Sequence, residues 1–153
     1  MTHEYVLWVV VIACTLHVVE ETMLDFVGMV AKVSPFKITL SDFYVVNAAM
    51  IVGAVAGAEI GWKVPAISLI IPALIVINAV FFHIGGTLVL RKFSPGLITS
   101  VLVYLPVAAW VYFAAASDGV LSTSALVLST LGGIATQAFP IGLMAFRSRL
   151  LRE

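Results

Sequence analysis

Five long apolar runs, separated by short polar segments, dominate the pattern along the chain. A run of about 20 residues rises about 30 Å as a helix, which is the thickness of the hydrocarbon core of a bilayer. Because the runs are continuous and do not alternate, they predict transmembrane helices and not the strands of a membrane barrel. The predicted helices are Tyr5–Phe26, Asp42–Trp62, Pro65–Leu90, Pro95–Ala116 and Leu121–Phe146.

Composition places the chain in the bilayer. Hydrophobic residues make up 62% of its 153 residues and charged residues 10%, which is more apolar than a single soluble core accommodates. The 8 Lys and Arg balance the 8 Asp and Glu, so no basic surface predicts a nucleic-acid partner. We therefore expect an all-α polytopic membrane protein, a bundle of five transmembrane helices forming one domain over residues 1–153. The sequence leaves open whether this bundle forms a homo-oligomer.

Basic residues predict the orientation in the membrane. Apart from Lys63, every lysine and arginine falls in the first connection, in the third connection or at the C-terminus. The positive-inside rule then predicts a multi-pass protein of the cell (inner) membrane with its N-terminus outside and its C-terminus in the cytoplasm. Trp8, Trp62 and Trp110 fall near the predicted outer ends of their helices, where an aromatic belt would hold them.

The stretch HVVEE places His17, Glu20 and Glu21 at the far end of the first apolar run. A helix that stopped at Val19 would be about 22 Å long, too short to cross the hydrocarbon core, so it must continue through both glutamates. At about 100 degrees per residue, Glu20 and Glu21 flank His17 on one face. A charged group at the bilayer centre costs about 2.5 to 3.5 kcal/mol, so this face must point into the bundle and find partners there.

Polar side chains that can serve as partners fall at a similar predicted depth in the other four helices, from the midplane into the cytoplasmic half. In a regular helix Asn78 and His83 would differ by about 140 degrees, so both reach one site only if their helix is central in the bundle or distorted. Pro72 favours such a distortion, and so do Gly85 and Gly86, which follow each other in the sequence. The polar set comprises Asn47, Asn78, His83, Thr99, Ser100, Tyr104 and Gln137.

The motif HVVEE at His17 to Glu21 is followed by an Asn in the second helix, by NAVFFH at Asn78 to His83 and by SPGLITS at Ser94 to Ser100. This pattern resembles the HXXEE family of membrane proteins, and the resemblance covers nearly the whole chain. The function of that family is uncharacterised, so the resemblance implies a motif pattern and no reaction.

Two histidines and a carboxylate with a free coordination position form a ligand set typical of catalytic zinc sites. His17 with Glu20 or Glu21 has the i, i+3 or i, i+4 spacing by which one helix offers two ligands, and His83 adds the third. We predict that His17, Glu21 and His83 bind a divalent metal, zinc or iron. Glu20 is then the general base. Tyr104 is a second catalytic candidate, and the supporting polar residues are Asn47, Asn78 and Gln137.

Three functional classes fit this site. The first is a metal-dependent enzyme, hydrolase-like or oxygenase-like, acting on a lipophilic or lipid-linked substrate that enters from the inner leaflet. The second is a metal-free acid/base isomerase or cyclase, and the third is a carrier of protons or metal ions. Five helices lack the paired inverted repeats of many carriers, and the polar residues occupy one half of the membrane. The sequence therefore favours an enzyme.

Overall fold

The computed structural model describes residues 2–34 and 38–150, and the regular secondary structure of these residues is helical throughout. Within them, five helices are long and apolar enough to cross a membrane, which confirms the predicted helical membrane fold. A short helix, α2, lies between the first two. The helices are α1 (Val6–Met23), α2 (Phe26–Val33), α3 (Leu40–Ile60, extended by one 3₁₀ turn to Lys63), α4 (Pro65–Leu90), α5 (Leu97–Ser117) and α6 (Thr123–Leu150).

Helix α1 continues through both glutamates, as predicted, but it ends at Met23 and not at Phe26. The reason is Asp25, whose backbone is left-handed (φ 53, ψ 53) and whose side chain accepts a hydrogen bond from the Gly28 amide. This interaction caps α2, which the hydrophobic pattern did not predict. The chain therefore turns sharply just beyond Glu21.

Two further helix starts differ from the predicted ones for local reasons. Helix α3 begins at Leu40 because Thr39 and Asp42 form a capping box, in which each side chain accepts a hydrogen bond from the other's backbone amide. Helix α5 begins at Leu97 and not at Pro95, because Gly96 has a φ of 93 that a helix cannot contain.

Two π-helical segments lie in contact with each other, Asn78–Ile84 in α4 and Ser100–Tyr104 in α5. The first confirms the distortion predicted for α4. Because a π-helix repeats its hydrogen bonds at i, i+5, it brings residues five apart, such as Asn78 and His83, towards the same side. Such segments occur frequently at functional sites.

The half of the bundle that contains the start of α1 is filled by apolar side chains. Helix α6 packs closely on α4, where Gly133 approaches the Leu74 backbone. The packing leaves the polar residues of α1, α4 and α5 in the other half. The apolar core includes Val6, Leu7, Val10, Ala13, Ala54, Ala58, Leu69, Ile75, Ala108, Val111 and Ala115.

Asp118 ties three connections together at the end of the bundle where α1 begins. Its carboxylate accepts hydrogen bonds from the His3 amide and the His3 ring Nδ1, both at 2.6 Å, and from Trp62 Nε1 at 2.8 Å. These bonds, first among them that from the His3 amide, hold the pKa of Asp118 below its usual value. The N-terminus and the connections α3–α4 and α5–α6 therefore share one side of the membrane.

The alternation of the connections agrees with the predicted topology, with α2 and the α4–α5 connection at the opposite end. Which end faces the cytoplasm stays a prediction. Part of the charge pattern behind it, Lys37 and Arg152, lies outside the described residues.

Candidate functional site

His17 and Glu21 of α1 and His83 of α4 form one buried cluster. The Nε2 atoms of both histidines lie 3.6 Å from the same Glu21 oxygen, Oε1. The exposed fractions of the three residues are 2%, 5% and 0%, respectively. One ligand atom from each residue can be chosen so that all lie within 4.8 Å of one another. The structure thus brings together the three residues predicted as metal ligands.

The facing atoms of the cluster are not hydrogen-bonded to one another. A separation of 3.6 Å exceeds the usual 2.7 to 3.2 Å of an N–H···O hydrogen bond. Among the described residues, His17 Nε2 and His83 Nε2 have no hydrogen-bond partner. Leaving a buried polar group unpaired costs about 1 to 3 kcal/mol. Two such atoms directed at one carboxylate therefore require an explanation.

The opposite nitrogen of each imidazole is held by a hydroxyl from the segment Ser94–Thr99, which comprises the end of the α4–α5 connection and the start of α5. His17 Nδ1 lies 2.8 Å from Thr99 Oγ1, and His83 Nδ1 lies 3.2 Å from Ser94 Oγ. Gly96 lies between them, and a Cβ added there would be 2.5 Å from His83 Cε1 and 2.8 Å from His17 Cε1. The segment therefore packs edge-on against both rings.

Glu20 does not join the cluster, although it neighbours Glu21 in the sequence. Its carboxylate accepts the backbone amides of Gly96, Ile98 and Thr99 at 3.0, 3.1 and 2.7 Å, and the Thr99 hydroxyl at 2.5 Å. These amides belong to the first turn of α5, where N–H groups lack helical partners and favour an anion. The role of Glu20 as a general base stays a prediction, but its geometry is that of an anchor between α1 and α5.

Tyr104, the second predicted catalytic residue, packs against the cluster as a ring. It is fully buried, and its ring stacks on His17 with centroids 4.3 Å apart and an interplanar angle of 26°. Its hydroxyl donates to Met50 Sδ at 3.9 Å. His83 meets the His17 ring edge-on at a centroid distance of 4.7 Å. Tyr104 therefore contacts the cluster through its aromatic face.

The three predicted supporting residues are not hydrogen-bonded to the cluster. Asn47 donates to the carbonyl of Phe43, one turn earlier in its own helix, at 3.0 Å. Asn78 is half-buried, and its Oδ1 has no partner among the described residues. Gln137 is half-buried on α6, the helix that packs on α4. Their proposed supporting role stays a prediction.

A narrow cleft reaches the cluster from the side of α2, and Glu21 forms part of its wall. The Phe26 ring lies between the cleft and His83. Its centroid is 5.9 Å from that of the His83 ring and 6.0 Å from that of the Phe43 ring. The remaining walls combine aromatic and aliphatic side chains with two polar ones. The lining consists of Glu21, Thr22, Asp25, Phe26, Val27, Leu40, Phe43 and Tyr44.

Ser94, Gly96 and the role of Thr99 were not found from the sequence. The segment SPGLITS was noted as part of a resemblance, and Thr99 as one polar residue among several. Connections between helices commonly contain a glycine after a proline, and they commonly contain serine and threonine. Their significance comes from the fold, which places this connection against both imidazoles.

Comparisons with known proteins agree with the motif pattern. A family model described as a protein of unknown function with HXXEE motif matches residues 8–111. The "Uncharacterized protein YrkK" of Bacillus subtilis (strain 168) is 38% identical over 56 residues, a stretch that covers 37% of this chain and 35% of that protein. No solved structure matches. Because the family model covers most of the chain, including His17, Glu21 and His83, the chain belongs to the HXXEE family.

Proposed function

We propose that this protein is a metal-dependent membrane enzyme in which His17, Glu21 and His83 hold one divalent cation. The observation that carries the proposal is the arrangement of three buried ligand atoms with no hydrogen bonds between them. Two imidazole nitrogens face one carboxylate oxygen at 3.6 Å each. A cation between these atoms would satisfy all three of them.

The distances support such an ion. Tetrahedral zinc with nitrogen and oxygen ligands at about 2.1 Å separates its ligand atoms by about 3.4 Å. The two observed distances of 3.6 Å to Glu21 are close to this value. Two histidines and one glutamate also match the set that binds non-haem iron, so zinc and iron are both proposed.

The charge balance supports the same reading. Glu20 and Glu21 are adjacent in a transmembrane helix, and no lysine or arginine whose side chain the structure describes forms an ion pair with either. Carboxylates inside a membrane bundle are expensive unless they are paired. A divalent cation beside two carboxylates and two neutral imidazoles makes the whole set neutral.

The ligand set leaves a coordination position free for chemistry. Zinc with three protein ligands activates a water molecule near neutral pH or polarises a carbonyl or phosphoryl oxygen, whereas the iron site of this type serves oxygenases. The protein's part is to exclude bulk water, which the burial of His17 and His83 achieves, and to fix the ligands in one geometry.

The position of the site favours a lipophilic or lipid-linked substrate. His17 lies about 17 Å along α1 from Val6, and Glu21 only about 3 Å from the end of the helix at Met23. The cluster therefore lies in one leaflet near the membrane surface, the inner leaflet in the predicted orientation. Apolar side chains such as Leu40 and Phe43 lie in the wall of the cleft beside Glu21, as expected where a molecule with a hydrocarbon part approaches a polar site.

A carrier is supported less well than an enzyme. The bundle between the cluster and the opposite surface is filled by buried apolar side chains, including Val10, Leu69 and Val111. An ion moving across the membrane would have to pass this layer. A metal-free acid/base enzyme, in which the same carboxyl groups move protons, remains the alternative to the metal-dependent one.

Elemental analysis of the protein, purified in mild detergent without chelators, tests the proposal. We expect about one zinc or iron per chain in the wild type and in His3→Ala, whose histidine lies at the opposite end of α1. His17→Ala, His83→Ala and Glu21→Gln should each lose the metal. Wild-type protein that neither contains nor takes up zinc or iron would overturn the metal site and favour the acid/base alternative.

The enzymatic part needs a separate experiment. Metal-loaded protein is incubated with a lipid extract of cell membranes, and the lipids are compared by mass spectrometry with those from a Glu21→Gln sample. We expect one lipid class to be consumed by the wild type alone. Identical lipid profiles for the two samples would count against a lipid substrate.

A further inference from the structure

We propose that Glu20, Thr99 and Ser94 are positioning residues that hold both imidazoles of the cluster in the Nδ1–H tautomer. The inference deepens the proposed function and rests on it in one respect. It makes Nε2 the atom that each histidine offers to the cation. The tautomers themselves follow from counting protons in the hydrogen bonds, which does not depend on a metal.

The count begins at Glu20, whose two oxygens already accept backbone amides. Oε1 accepts from Gly96 and Ile98, and Oε2 accepts from Thr99. Three backbone N–H groups directed at the two oxygens favour the ionised carboxylate, which can only accept hydrogen bonds. Both oxygens of Glu20 are therefore acceptors.

The Thr99 hydroxyl must then donate its single proton to Glu20, at 2.5 Å. This leaves only lone pairs on Oγ1 for its other partner, His17 Nδ1, at 2.8 Å. The ring nitrogen must therefore donate, which places a hydrogen on Nδ1. In a neutral imidazole the other nitrogen, Nε2, is then without a hydrogen.

His83 reaches the same state through a carbonyl. The carbonyl is that of Pro95, the residue after Ser94, and it can only accept a hydrogen bond. The Ser94 hydroxyl, 3.2 Å from His83 Nδ1, donates to the same carbonyl at 3.3 Å and can accept from the ring. Nδ1 of His83 therefore also carries a hydrogen, and its Nε2 carries none.

These tautomers explain the distances within the cluster. With no hydrogen on either Nε2, neither ring can donate to Glu21, in agreement with two separations of 3.6 Å that are longer than a hydrogen bond. Two lone pairs facing a carboxylate oxygen repel each other unless a cation lies between them. The adjacent glutamates of the motif thus have different tasks: Glu21 faces the cation, and Glu20 acts on His17 through Thr99.

Nitrogen-15 NMR of histidine-labelled, metal-free protein in detergent micelles reads the tautomers directly. We expect Nδ1–H for both His17 and His83 in the wild type, each assigned by comparison with its alanine variant. In Thr99→Val, which keeps the shape but removes the hydroxyl, His17 should show a mixture of tautomers. Thr99→Ser keeps the hydroxyl and should retain the wild-type signals. A wild-type His17 with its hydrogen on Nε2 would overturn the inference.

Zinc titration of the same proteins supplies the second readout. Outer hydrogen-bonding partners of metal ligands contribute about 10- to 100-fold in affinity, so Thr99→Val and Glu20→Gln should weaken zinc binding by that factor. Thr99→Ser should remain close to the wild type. Equal affinities for Thr99→Val and the wild type would refute the positioning role. If the wild type binds no zinc but both rings are Nδ1–H, the proposed metal function fails while the tautomer assignment holds.

Discussion

Replacing Gly96 by alanine should disturb both imidazoles at once. Two separate penalties arise from the structure. Gly96 has a φ of 93, in the left-handed region that costs a residue with a Cβ about 1 to 3 kcal/mol. The new Cβ would also lie 2.5 Å from His83 and 2.8 Å from His17. Overpacking of this kind costs about 1 to 3 kcal/mol, so the two penalties together predict a destabilisation of about 2 to 6 kcal/mol.

A control variant separates the two penalties. Gly119 also has a positive φ, 70, but a Cβ there would meet no atom within 4 Å. Gly119→Ala should therefore show the backbone strain without the clash. The difference between the two variants, about 1 to 3 kcal/mol, measures how tightly the connection packs against the rings.

Unfolding free energies from denaturant titration in mixed micelles give the stabilities, and bound zinc per chain gives the state of the site. Gly96→Ala should lose both stability and metal, whereas Gly119→Ala should lose only some stability. Equal stability and equal metal content for the two variants would show that the Gly96 connection does not position the imidazoles.

Three further predictions concern other parts of the molecule. Asp118→Asn should destabilise the protein at neutral pH. Folding lowers the pKa of Asp118, so the ionised side chain stabilises the folded state above its unfolded pKa of about 4. This stabilisation is lost as the pH falls through the lower pKa of the folded state. A destabilisation that stays constant from pH 6 to pH 2 would contradict this. Asn47→Ala should keep its metal and lose about 0.5 to 1.5 kcal/mol of unfolding free energy, because the Asn47 side-chain amide donates its hydrogen bond to the Phe43 carbonyl of the same helix. A reporter fused after Gly119 should be exposed outside the cell, and a cytoplasmic signal would reverse the topology.

The membrane helices and the convergence of His17, Glu21 and His83 could be predicted from the sequence because hydrocarbon restricts the alternatives. A backbone in lipid must form helices, and an ionisable side chain must face the interior. These two constraints extend α1 through the glutamates and direct its polar face towards the other polar residues. The sequence also favoured a distortion of α4, because Asn78 and His83 lie on different faces of a regular helix and because Pro72 and the Gly85–Gly86 pair weaken its regularity.

The parts that were not predicted depend on backbone groups, which every residue carries. Glu20 binds three amides at the start of α5, and no side-chain pattern marks those amides as its partners. The end of α1 is set by the left-handed backbone of Asp25 and its bond to Gly28, which apolar periodicity does not encode. The sequence therefore indicated which side chains meet, but not the division of roles between the two glutamates.

The π-helical turn of α4 limits the changes in length that this protein can accept. Such a turn corresponds to an α-helix with one residue inserted, so a single deletion within Asn78–Ile84 would restore the regular helix. Every later side chain would then rotate by about 100 degrees relative to the preceding ones. A deletion before His83 would turn its imidazole away from Glu21 without altering any residue of the cluster. Natural variation in this segment should therefore proceed by substitution, and the spacing between Asn78 and His83 should be as informative about the site as their identities.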